Sequence, residues 1–239
     1  MKAVIQCGGK GMRLRPHTAI LPKPLMPIGS RPVLELVLKW LRRNGIKEVF
    51  VTTGYLGHLI RSVCGDGHQW NMCVNYTQEV EPLGTIGPLS LVREQLDEPF
   101  LVLNGDILTD LNLKQFVNFH RQHSGALTIA TAARHTKMDY GVIDHDGALV
   151  TSFREKPELT HRVSMGIYCM DPIVLERIPA NVPFGFDDLI LQMLDDQVPV
   201  HVFQHDGTWL DIGQVNDFLK AQEIAWDEQT IIAPANAAA

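Results

Sequence analysis

The sequence has no apolar run of the length a bilayer span requires, so no transmembrane helix is expected. Its four cysteines, Cys7, Cys64, Cys73 and Cys169, are scattered without a CxxC pair. That spacing points to buried free thiols in a reducing cytoplasm, not to zinc ligands or a disulfide scaffold. A basic stripe is also missing. Lysine and arginine are dispersed and the net charge is −6, which argues against nucleic acid as the main ligand. A free nucleotide stays open, because a few local cations and a metal ion suffice for one. The signatures GxSxG and HExxH are absent, and the ten histidines show no triad-like spacing and are expected to be mostly solvated. The start turns glycine-rich after Cys7, before an export signal could form its apolar core, so no export is expected. There are no internal repeats and no hexapeptide β-helix pattern.

What is present is ordinary globular material: 239 residues, 45% of them apolar, enough for one sizeable domain or a core with an insertion. The first half alternates strand-like runs with amphipathic helical segments, the pattern of a parallel sheet covered by helices. Strands are expected at Lys2–Cys7, Glu48–Thr53, Met72–Thr77, Phe100–Asn104 and Ala126–Ala132. Helices are expected at Pro32–Arg43, with Pro32 in its first turn, and at Leu113–His123. The second half reads as more hairpin-like. Gly141–Asp144 and Leu149–Phe153 flank a turn, Val163–Met170 and Val200–Gln204 read as strands, and Asp187–Asp195 and Val215–Trp226 read as helices. The expected fold is α/β, a mostly parallel sheet with helices on both faces and an inserted β-rich lobe. It forms a single domain over 1–226, followed by a mobile tail over 227–239.

The chemistry begins directly after the first strand, at Gly8-Gly9-Lys10-Gly11-Met12-Arg13-Leu14. Glycines there let backbone N–H groups approach a phosphate chain, and nearby cations neutralise it. A dinucleotide fingerprint fails at Leu14, and no Gly-Lys-Ser/Thr closes a P-loop. Alone, the run leaves a tight turn and a phosphate cradle both open. Pro22-Lys23-Pro24-Leu25-Met26-Pro27-Ile28 decides between them, because it fixes one lysine between two prolines. Together the two runs resemble the signature of the sugar nucleotidyltransferase family, and the resemblance extends over Met1 to Trp226.

The resemblance implies a Rossmann-like fold whose nucleotide-binding half covers about 1–135 and whose sugar-binding half covers about 136–226. It implies that Gly8, Gly9 and Gly11 hold the nucleotide and that Arg13 and Lys23 hold its phosphates. The chemistry suits these residue types. A sugar phosphate must attack the α-phosphorus of an NTP, and both are anions, so cations are needed and no protein nucleophile is.

An apolar strand, Leu101-Val102-Leu103, ends in Asn104-Gly105-Asp106, where open α/β sheets collect ligands. Asp211 lies between Leu210 and Ile212, costly to bury unless paired or metal-bound. The resemblance makes Asp106 and Asp211 ligands of Mg²⁺, which favours hard oxygens and needs few protein donors, and it counts Asp106 among the catalytic residues. Asp110 is expected to cap the Leu113 helix.

Glu79 to Leu89, containing Gly84-Thr85, resembles the family's base-reading loop, with Glu79 facing the base and Gly84 at the nucleotide. A carboxylate only accepts hydrogen bonds, which suits the adjacent N1–H and N2 amino donors of guanine and repels the carbonyls of uracil and thymine. Glu79 therefore points to GTP. Phe153-Arg154-Glu155-Lys156-Pro157 resembles the sugar-phosphate motif: Glu155 would accept from sugar hydroxyls and Lys156 would pair with the phosphate. Gly141 would offer its N–H to the sugar, and Ser164 stands where many members carry Asn. The implied substrates are an NTP and a sugar-1-phosphate, mannose-1-phosphate first, in a cytoplasmic protein without a membrane or nucleic-acid partner; a homo-oligomer is compatible. Use of UTP, dTTP or CTP, and a non-catalytic nucleotide-sugar binder, are the alternatives.

Overall fold

In the computed structural model, residues 1–123 and 125–224 are described. The elements follow in order as β1 Ala3–Cys7, β2 Pro27–Ile28, β3 Arg31–Pro32, α1 Val33–Arg43, β4 Glu48–Thr53, α2 Gly57–Cys64, β5 Cys73–Gln78, β6 Phe100–Asn104 and β7 Ile107–Thr109. After them come α3 Leu113–Gln122, β8 Leu127–Lys137, β9 Val142–Asp146, β10 Leu149–Arg154, β11 Glu158–Met170, α4 Phe186–Asp195, β12 Val200–His205, β13 Trp209–Asp211 and α5 Val215–Glu223. The expected tail and the last residues of the expected Val215–Trp226 helix lie outside the described residues. Among the described residues no helix is long and apolar enough to cross a membrane.

Seven strands form the central sheet in the order β12-β8-β11-β6-β1-β4-β5. Only β11 runs against its neighbours; the pairs β1/β4, β1/β6, β4/β5 and β12/β8 are parallel. Period-two alternation explains why helices must cover both faces. In β1, Ala3, Ile5 and Cys7 join one buried cluster with α1, α2, α3 and α5, while Val4 joins another with α4 and the 3-10 stretch Gly87–Gln95. β6 divides likewise, Leu101 and Leu103 on the first face and Phe100 and Val102 on the second. Helix α1 buries the expected stripe, Val33, Leu34, Val37, Leu38 and Leu41, each contributing about 1.5–3 kcal/mol where fully covered. Pro32 differs from expectation by one step: it is the N-cap residue, extended at ψ 144°, and not part of the first turn.

The outer halves of β8 and β11 pair with each other over residues 132–137 and 158–163, past the end of β6. The hairpin β9–β10 forms a separate two-stranded sheet there. This is the β-rich part that the second half of the sequence announced.

Two further expectations fail, the first because a competing partner wins. Asp110 does not cap α3; Asn112 does, its Oδ1 accepting from the Gln115 N–H at 3.1 Å. Asp110 instead pairs with His205 Nε2 at 2.8 Å. Burial opposes its ionisation, but the His205 hydrogen bond and charge outweigh this and hold its pKa below the ordinary value. Three thiols are buried as expected, with Cys64 and Cys169 pushed up to about 12 chiefly by burial, but Cys73 is exposed on the edge strand β5. Among the histidines, His120 is buried and bonds Thr128 Oγ1 at 2.9 Å.

Candidate active site

The glycine-rich run leaves the carboxyl end of β1 and enters a 3-10 turn, Met12–Leu14. Gly11 has φ +59° there, and a Cβ would meet Thr18 at 3.0 Å and Lys23 Cβ at 3.2 Å. Thr18 Oγ1 donates to the Gly11 carbonyl at 2.7 Å, fixing the turn against the next one. After a second 3-10 turn, His17–Ala19, a third, Lys23–Leu25, follows Pro22 and aims the lysine inward. Gly8, Gly9, Gly11, Arg13, Lys23, Glu79, Gly84 and Asp106 all line one cavity of about 510 Å³. Residues separated by some hundred positions in the sequence thus share one wall.

The two acids are brought together by a short ladder. β7 pairs antiparallel with β13, Asp211 opposite Ile107, and the Ile212 N–H donates to the Asp106 carbonyl at 2.9 Å. Asp211 is thereby set beside Asp106. Between them lies the Lys23 ammonium, in contact with Asp106 Oδ2 and 3.5 Å from Asp211 Oδ1. Burial lowers the Lys23 pKa and nearby Arg13 adds to this, while Asp211 opposes it. Gly213 makes the approach feasible, since a Cβ there would overlap Lys23 Nζ. Two adjacent carboxylates fit a hard divalent ion that keeps most of its other positions for water and phosphate. A closed protein cage is not available: no group of three or more His, Cys, Asp or Glu gathers among the described residues.

Glu79 follows β5 and stands at the far side of the cavity. Its Oε2 accepts from the Leu83 N–H at 2.8 Å, and its Oε1 abuts Gly8, where a Cβ would overlap it. Burial raises its pKa, and the Leu83 N–H partly opposes the rise. Gly84 follows at φ +80°, with Phe184 O only 2.6 Å from where a Cβ would sit. That same carbonyl accepts from Ile86 and Gly87, both at 3.1 Å. Gly84→Ala is therefore expected to strain the backbone and clash with a carbonyl that holds the loop. We expect a loss of about 1–3 kcal/mol in thermal unfolding, together with a raised KM for nucleotide. An unchanged melting temperature and KM would show that the loop is not held by this contact.

The residues assigned to the sugar do not line the cavity. Gly141, Glu155 and Lys156 lie in the exposed region of the β9–β10 hairpin, and Glu155 Oε2 is 3.2 Å from a Cβ built at Gly141. Lys156 takes φ +44°, rare for a residue with a side chain. Ser164 lies in β11 just before a bulge; its hydroxyl donates to Tyr168 Oη at 2.9 Å and accepts from the Gly166 N–H at 3.2 Å.

The sequence reading missed several cavity residues. Thr52, Gln6 and Asn104 stand side by side in register across β4, β1 and β6, a polar row lining the cavity. Gln6 Nε2 and Thr52 Oγ1 are buried with no hydrogen-bond partner among the described residues. The available signal was a polar residue near the end of each otherwise apolar strand. Gly213 was also missed, although it directly follows the acid-bearing Leu210-Asp211-Ile212.

Comparisons with known proteins show which family the chain falls in. The mannose-1-phosphate guanyltransferase of Candida albicans is 35% identical over 228 residues, covering 92% of this chain and 63% of that protein. The mannose-1-phosphate guanylyltransferase catalytic subunit beta of Danio rerio is 34% identical, with the same shares. The chain thus spans about 63% of the length of these relatives. Among solved structures, HddC from Yersinia pseudotuberculosis superposes with a TM-score of 0.73 at 27% identity, over 93% of this chain and 98% of that one. The same protein complexed with GMP-PN gives a TM-score of 0.72 at 26% identity, with the same shares. The sequence profile described as nucleotidyl transferase matches residues 2–228, and the chain belongs to the nucleotidyl transferase family.

Proposed function

We propose that this chain transfers a nucleoside monophosphate from an NTP, with GTP favoured, to a sugar-1-phosphate, with mannose-1-phosphate or a related hexose or heptose favoured. The observation that carries the reading is the single cavity shared by the glycine run, Arg13, Lys23, Glu79 and Asp106, with Asp211 beside it. The names of the relatives and the GMP-PN complex of HddC support guanine as the base. An oxygen of the sugar phosphate attacks the α-phosphorus; the new P–O bond forms as the bond to the β-phosphate breaks, and pyrophosphate leaves. Asp106 and Asp211 hold Mg²⁺, which supplies charge against the triphosphate. Arg13 and Lys23 neutralise the phosphates by fork and point charge respectively. Glu155, Lys156, Gly141 and Ser164 bind the sugar phosphate at the hairpin side. The setting is cytoplasmic, where NTPs are available, and a homo-oligomer is compatible.

The test is pyrophosphate release for each NTP against a panel of sugar-1-phosphates, wild type beside Glu79→Gln. Glu79 keeps one oxygen on Leu83 N–H and turns the other toward Gly8 and the cavity. A glutamine that keeps the Leu83 bond must present its amino group there, against the donors of guanine. An unpaired buried group costs about 1–3 kcal/mol, or roughly 5- to 150-fold in kcat/KM. GTP use should fall by that factor, while UTP or dTTP use rises, because the amide can face their carbonyls. No release with any pair sinks the reaction; a wild-type preference for UTP or dTTP sinks the guanine reading; an unmoved ratio in Glu79→Gln removes Glu79 from the base.

A further inference from the structure

Asp211 has supports that the proposed reaction does not use. Asp217, in the first turn of α5, is 3% exposed, and its Oδ2 accepts from the Asp211 backbone N–H at 2.9 Å. A buried carboxylate needs a cation, and Arg134 of β8 supplies it: Nη1 donates to Oδ1 at 3.1 Å, and Nη2 contacts Oδ2. The guanidinium lies 4.4 Å from the centre of the Trp209 ring, and Trp209 Nε1 donates to the Met165 carbonyl at 3.0 Å. Met165 falls inside the bulge that follows Ser164. A continuous set of contacts therefore runs from the sugar-side strand to the backbone of Asp211.

The geometry points to Asp217 and Arg134 as positioning residues that hold the Asp211 carboxylate at the cavity. Neither lines the cavity of the glycine run, and both act through Asp211. The Asp211 side chain itself meets the Gly213 N–H on its Oδ1 at 2.8 Å and the Lys23 ammonium at 3.5 Å, so the Asp217 bond is what fixes the backbone that carries it. Asp217→Asn removes the charge that pairs with Arg134 and leaves the Asp211 N–H at best a neutral, unanchored acceptor, and without Arg134 the Asp217 carboxylate loses its charge partner. This inference rests on the reading of Asp211 as a metal carboxylate.

The experiment measures Mn²⁺ binding by counting free Mn²⁺ with EPR in the presence of GTP, which needs no turnover, and the Mg²⁺ activation constant alongside. Partners of a metal ligand typically contribute about 10- to 100-fold in metal affinity. Asp217→Asn and Arg134→Met are each expected to weaken Mn²⁺ at least about 10-fold, with KM for nucleotide at saturating metal nearly unchanged. Asp211→Asn should weaken it further, and adding Asp217→Asn to Asp211→Asn should cost nothing more, because residues acting through one group are not additive. A purely structural role would lower the melting temperature and add in the double variant, which overturns the proposal. Wild-type metal constants in Asp217→Asn or Arg134→Met also overturn it. Where Asp217→Asn does not fold, Arg134→Met decides alone, because the Arg134 side chain is 32% exposed and its replacement burdens the core less. If Asp211→Asn itself binds Mn²⁺ normally, the metal reading of Asp211 falls and takes this inference with it. If Asp211→Asn is weakened and the other two variants are not, this inference alone falls.

Discussion

Asp106→Ala is expected to leave about a thousandth of wild-type turnover or less, at saturating nucleotide and sugar phosphate, in a protein that still folds. The size follows from what its charge does. A divalent ion contributes several kcal/mol of transition-state charge stabilisation, and about 4 kcal/mol is 10³-fold in rate. Asp106 is 6% exposed and fixed at the end of a central strand, so no neighbour can swing in to replace it. Folding should survive because Lys23 keeps Asp211 as a partner at 3.5 Å, leaving no buried cation unpaired. Asp106→Asn separates charge from shape: it keeps the size and one acceptor, and the loss should persist. Asp211→Ala should be somewhat milder, since its side chain is 24% exposed and water can take its place. The measurements are kcat across a Mg²⁺ titration and the melting temperature of each variant. Full activity in EDTA, or an active Asp106→Ala, would remove the metal from the mechanism.

Much of the fold was legible because central strands buried on both faces are written as short apolar runs. Glu48–Thr53 and Phe100–Asn104 were read to the residue. Helix α2 was not read: it has eight residues, no side-chain cap, and buries only Gly57, Ile60 and Cys64. The ladder of β7 and β13 was equally invisible, with three residues on each side and about a hundred between them. Nothing local in Ile107–Thr109 or Trp209–Asp211 says that they pair. That pairing sets Asp211 beside Asp106, and the sequence reached it only through the family resemblance.

The same limit governs the side chains. Glu79 and its partner Leu83 are four residues apart, and the loop containing both was read as one unit. Asp110 was read as a cap because its nearest prospect in the sequence was a helix start. The partner that won, His205, is 95 residues away. Arg134 and Asp217 are 83 residues apart, and each alone reads as a solvated charge. Short-range chemistry is legible in a sequence, and long-range pairing is not.

Lys23→Ala is the second large effect, and its signature is double. Lys23 is held between Pro22 and Pro24, with its ammonium between Asp106 and Asp211 and its side chain only 18% exposed. As a preorganised cation where charge develops, it is expected to be worth on the order of 10²–10³ in kcat. Lys23→Arg should not rescue the variant, because the planar fork is wider than an ammonium and the space at Gly213 is so tight that even a Cβ there would lie 2.6 Å from Lys23 Cε. The second readout needs no substrate. Removing the ammonium leaves two neighbouring carboxylates without their counter-charge, so a divalent cation gains a competitor-free place. Mg²⁺ should then raise the melting temperature of Lys23→Ala more than that of wild type, since a ligand stabilises in proportion to its binding. Thermal unfolding with and without Mg²⁺, beside steady-state kinetics, checks both. A raised KM with unchanged kcat would make Lys23 a uniform binder of phosphate. An equal Mg²⁺ shift in both proteins would mean that the ammonium does not occupy the place of the metal.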